Sequence, residues 1–72
     1  MEVEKLFKFV ERCLHNAEWM ESRNDREAFF NQAFGALIFL IESDEITPDA
    51  QRLITDRWEG EYRPQFEKAI WG

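Results

Sequence analysis

One cysteine, one histidine and two prolines are all that this 72-residue chain holds of those types, and its nine basic residues are outnumbered by fifteen acids. Each scarcity excludes something. A lone thiol, Cys13, makes no intrachain disulfide and no multi-cysteine zinc site. A lone imidazole, His15, leaves no second histidine for a shared metal centre. The formal charge of −6 keeps the chain soluble and repels phosphate backbones, so direct nucleic-acid binding is disfavoured. There is no glycine-rich phosphate loop, no exposed serine or cysteine beside a base, and no basic stripe. No leader of basic, apolar and small-residue regions opens the sequence, and its longest apolar run is too short for a bilayer, so a cytoplasmic protein without membrane association is expected.

What is present is large and apolar. Hydrophobic residues make up 44% of the chain and aromatics 15%, the composition of a folded domain. Apolar residues at Val3, Leu6, Phe7, Val10, Cys13, Leu14, Ala17 and Met20 follow the three-and-four spacing of an amphipathic helix over 2–21. Asn24, with Glu27 three positions on, reads as an N-cap with a reciprocal carboxylate, which predicts a second helix from about Asp25. Thr47 and Pro48 read as the N-cap and first residue of a third helix through Trp58. Gly60 and Pro64 then predict either a kink or a short fourth helix. The expected fold is all-α, residues 1–72 forming one compact bundle of three main helices with a short C-terminal fourth or a kinked extension.

The run GALIFLI, residues 35–41, makes the second helix apolar on most of its circumference. Phe30, Phe34, Leu37 and Ile41 are the expected core face, and two or three neighbouring helices do not necessarily enclose the rest. Gly35 inside a helix costs about 1 kcal/mol relative to alanine, which calls for a close approach by another backbone. Gly35, Ala36 and Phe39 are therefore expected to meet either the C-terminal segment or a second subunit. So small a chain supplies only a few kcal/mol of net stability from its core, which favours association.

No constellation carries chemistry. Cys13 and His15 sit two apart on one helix and point to different faces, and Cys13 lies on the apolar side as a core residue. Glu4, Glu11, His15 and Glu18 share one side of the first helix, where matching ligands from other helices are lacking, so they read as a solvated face. Arg52 and Arg57 of the third helix are placed outward beside Asp49, Asp56 and Glu59, which opposes a DNA-recognition role. No catalytic residue, metal ligand or cofactor is expected. Glu42, Asp44, Glu45 and Asp49 crowd the second turn, the first three at a helix C-terminus where negative charge is unfavourable; they lack the glycine and final glutamate of a calcium loop and read as a solvated loop first and as an acidic contact surface for a basic partner second. Trp19 on the polar side of the first helix and Trp71 near the end complete the interaction candidates: Trp19, Gly35, Phe39, Glu42, Asp44, Glu45 and Trp71.

The stretch NQAFGAL (Asn31 to Leu37), with Trp58, Glu61-Tyr62-Arg63-Pro64 and Phe66-Glu67, resembles short uncharacterised bacterial proteins of mobile-element type, more so in the second half of the chain. The resemblance implies an accessory role in a bacterial cytoplasm and brings no activity with it. The expectation is a non-enzymatic interaction module whose partner is a protein, either a second copy or a larger subunit. The alternative is an acidic inhibitor or antirepressor occupying a basic nucleic-acid-binding protein.

Overall fold

A computed structural model describes residues 2–72. The first helix, α1 (Glu2–Trp19), buries Leu6, Val10, Cys13, Leu14 and Ala17, the three-and-four stripe of the sequence, together with Phe7. It stops where Met20 N–H turns back to the Ala17 carbonyl at 3.2 Å. A short turn then reverses the chain into α2 (Arg23–Ile41). The cap is Ser22, not Asn24: its backbone is extended and its hydroxyl accepts from the Asp25 amide at 3.4 Å. The helix starts two residues earlier than expected, with Asp25 in its first turn, where its charge complements the helix dipole.

Arg26 locks this end of the bundle. Its guanidinium donates to the Met20 carbonyl at 2.7 Å, to the Glu21 carbonyl at 3.3 Å and to the Ala69 carbonyl at 3.2 Å. The first two bonds satisfy the turn after α1, and the third ties the turn to the far C-terminal helix.

At the other end, Thr47 caps α3 (Pro48–Arg57) by accepting from the Ala50 amide at 3.2 Å, with Pro48 in the first turn. The Gln51 side-chain Nε2 donates to the Ile41 carbonyl at 2.8 Å, which satisfies one orphan acceptor at the C-terminus of α2. The helix does not end at Gly60. A π-helical turn over Trp58–Tyr62 leads directly into α4 (Arg63–Trp71), and the Arg63 amide reaches back five residues to the Trp58 carbonyl. Pro64 has no N–H to donate to Gly60 and would crowd that carbonyl in a regular helix, and the wider turn relieves both problems. The result is an all-α bundle of three long helices, the last one kinked and 24 residues long. Such a helix spans about 36 Å, in accord with the 38 Å long axis of the molecule.

The core is drawn from all of these elements. Val10, Ala17, Ala33, Ile54 and Phe66 are almost fully enclosed, and Phe30, Phe34, Trp58 and Phe66 interlock with ring centroids 5.5–6.1 Å apart. Cys13 is buried, and burial pushes its thiol up from its ordinary pKa. The inner face of α2 is Ala33, Leu37 and Leu40, not the expected row through Phe34. Phe34 lies at the edge of the aromatic cluster and is partly open to solvent. Among the described residues, no helix is long and apolar enough to cross a membrane.

Candidate protein-contact surface

Antiparallel packing of α1 on α2 brings the beginning of one beside the end of the other. Lys5, Leu6 and Phe9 form one wall of a groove, and Ala36, Phe39, Leu40, Ser43 and Glu45 form the second, around a volume of about 280 Å³. Its lining is largely apolar, with Lys5 contributed by α1 and Glu45 by the turn that follows α2. Phe39 stands at its edge with 80% of its surface exposed, and Phe9 is 36% exposed. A neighbouring hollow continues from Phe39 to Glu42, Ser43 and Glu45.

Gly35 sits one turn before Phe39 on the outside of α2. Among the described residues, no heavy atom outside its own stretch of helix comes within 4 Å of where a side chain would start. The C-terminal segment therefore makes no close approach to Gly35, contrary to one of the two expectations drawn from the sequence. Among the described residues, no close backbone approach offsets the cost of this glycine in a helix. Residues 28–41 also contain no charged side chain, although 33% of the whole chain is charged. The outer surface of α2 thus combines Ala28, Asn31, Gln32, Gly35 and Phe39, all exposed and all neutral.

The turn that follows carries Glu42, Asp44, Glu45 and Asp49, each exposed. The Ser43 hydroxyl accepts from the Glu45 amide at 3.1 Å and shapes this turn. Phe39, Glu42 and Glu45 therefore share one site. The two tryptophans do not belong to it. Trp71 packs under the Arg23 guanidinium, 5.5 Å from its ring centroid, at the beginning of α2. Sixteen residues of helix, about 24 Å, separate Arg23 from Phe39. Trp19 closes α1 near the same turn, 74% exposed, with the His15 ring 6.1 Å from its own.

Some charged side chains outside this surface have long-range structural partners that the sequence does not disclose. Arg57 is not directed outward: its guanidinium lies over the Phe7 ring at 4.3 Å and donates to the Tyr62 hydroxyl at 2.8 Å and to Glu61 at 2.9 Å. The Tyr62 hydroxyl in turn donates to Glu11 at 2.8 Å, which joins α1 to the π turn. Glu11 is thus a docking group and not part of a purely solvated face. Burial, then the bond to Glu11 and its charge, holds the Tyr62 phenol well above its ordinary pKa of 10, so it stays protonated near neutrality. The Arg57 hydrogen bond holds Glu61 below the usual carboxylate range. Among the described residues, no three His, Cys, Asp or Glu side chains gather where a metal ion would sit.

Phe9 is the exposed groove residue that sequence reasoning missed. Its signal is its register, because it falls outside the stripe of Leu6, Val10, Cys13 and Ala17, and an apolar residue out of register projects away from the core. Leu53 is a second such residue, half exposed over a hollow shared with Val3, Phe7 and Ala50. Comparison of the chain with protein-family models, with curated proteins and with solved structures found no match.

Proposed function

We propose that this chain is a non-enzymatic protein-interaction module of the cytoplasm, acting as a homodimer or as a small accessory subunit, and that it docks through the neutral outer face of α2 and the groove beside it. The observation that carries this reading is Phe39, a large aromatic exposed on a rigid helix at the edge of an apolar groove. Aromatic anchors next to desolvated pockets supply most of the energy in protein interfaces, and depletion of charge marks their centres. Gly35 supports the reading, because among the described residues nothing approaches it and its bare backbone on an exposed helix face lets another molecule come close.

A photo-reactive phenylalanine derivative at position 39, incorporated in cells, tests the surface against the same group at Asp56, an exposed position of α3. A discrete protein adduct from position 39 and none from position 56 is expected. No adduct from position 39, or the same adducts from both positions, overturns the reading.

The exposed acids Glu42, Asp44, Glu45 and Asp49 favour a second reading, an acidic inhibitor that occupies a basic nucleic-acid-binding protein. Its contact would be electrostatic, so capture of a basic partner should disappear in 1 M salt, where the screening length falls to about 3 Å. An adduct whose formation is unchanged in 1 M salt argues for the apolar contact instead.

A further inference from the structure

We infer that the occupant of the groove between α1 and α2 is a second copy of this chain, related by a two-fold axis running along the groove; this rests on the reading of that surface as a docking site. The two walls are chemically complementary to each other. The α1 wall presents Phe9 with the cation Lys5, and the α2 wall presents Phe39 with the anion Glu45. An axis along the groove lays the α1 wall of one copy on the α2 wall of the other. Phe9 then meets the second copy's Phe39, Lys5 meets its Glu45, and each pairing forms twice, as an isologous interface requires.

Charge selects the same occupant. Each copy carries −6, so a dimer forms readily only where the contact itself is free of like charges. The stretch 28–41 is uncharged, and the charged residues lining the groove are one cation, Lys5, and one anion, Glu45. A strongly basic partner would find no anion within the apolar strip to recognise. Gly35, next to Phe39 on α2, leaves room for the second backbone to come close.

Sedimentation equilibrium across a wide concentration range, at low ionic strength, tests the inference. The wild-type chain is expected to dimerise, and Phe39→Glu to weaken dimerisation by about 30-fold or more while helicity by circular dichroism is unchanged. Lys5→Glu should weaken the dimer several-fold, and adding Glu45→Lys should restore it, because reversing both charges rebuilds the pair. A wild-type chain that stays monomeric at every concentration overturns the second copy as occupant, while the photo-crosslinking result still decides whether the surface docks anything. A dimer indifferent to Phe39→Glu overturns the groove as its interface, and the photo-crosslinking result again decides separately whether the surface docks another protein. A dimer weakened by Phe39→Glu but unaffected by Lys5→Glu, or weakened by Lys5→Glu and not restored on adding Glu45→Lys, overturns the two-fold placement of Lys5 on Glu45.

Discussion

Tyr62 is the only tyrosine in the chain, so its phenolate absorbance reports a single group. Its hydroxyl donates to Glu11 and accepts from Arg57, and only the protonated phenol makes the first of those bonds. The pKa is raised in the folded state, so above about pH 10 the unfolded chain releases a proton that the folded chain keeps. Stability from this group is complete below the unfolded value and falls as pH rises beyond it. Urea titrations between neutral and strongly alkaline pH should show that loss, and Tyr62→Phe, which has no proton to release, should flatten the alkaline slope. An unchanged slope in Tyr62→Phe would assign the loss to other groups. At the same scale, Cys13 combines burial with a raised pKa, the combination that leaves a thiol unreactive in the native state.

Among the elements, the start of α2 separates two candidate caps. Ser22 and Asn24 are both residues that cap helices, and only the hydroxyl of Ser22 is bonded to a first-turn amide. Ser22→Ala should cost about 0.5–1 kcal/mol in chemical denaturation. Asn24→Ala, at an exposed position inside the first turn, should stay within about 0.5 kcal/mol of wild type. The opposite ranking would place the cap at Asn24. The C-terminal half shows a related competition. Gly60 and Pro64 signal a break, yet Trp58, Tyr62, Phe66 and Ile70 are all buried on one side. Their four-residue spacing keeps the segment helical, and the π turn absorbs the misfit of the proline.

For the whole molecule, the test is whether stability and association reside in different residues. Ile54 is fully enclosed where α3 meets the core, and Phe39 is exposed on the outside of α2. Ile54→Ala should cost about 2–5 kcal/mol, enough to unfold much of a domain this small. Phe39→Glu should leave the stability of the isolated chain within about 0.5 kcal/mol, measured at a concentration too low for association. A large loss in Phe39→Glu would mean that this ring supports the fold, and its exposure would lose its functional meaning.

The sequence by itself determined the helical class, the stripe of α1, the cap at Thr47 and the burial of Cys13, because each depends on spacing or on residue chemistry within one or two turns. It also marked Phe39, Gly35 and the acidic turn as candidates, since an apolar run wider than one helix face and an unexplained glycine are visible without coordinates. Only the tertiary structure decided which side of the all-round apolar α2 faces inward. The periodicity of GALIFLI is nearly isotropic, and the choice of Ala33, Leu37 and Leu40 over Phe34 follows from where α1 and the kinked third helix come to lie. For the same reason Arg57, Glu11 and Tyr62 look independent along the chain and are joined in space. Their partners are up to 51 positions apart in sequence, and no local pattern encodes a pairing at that range.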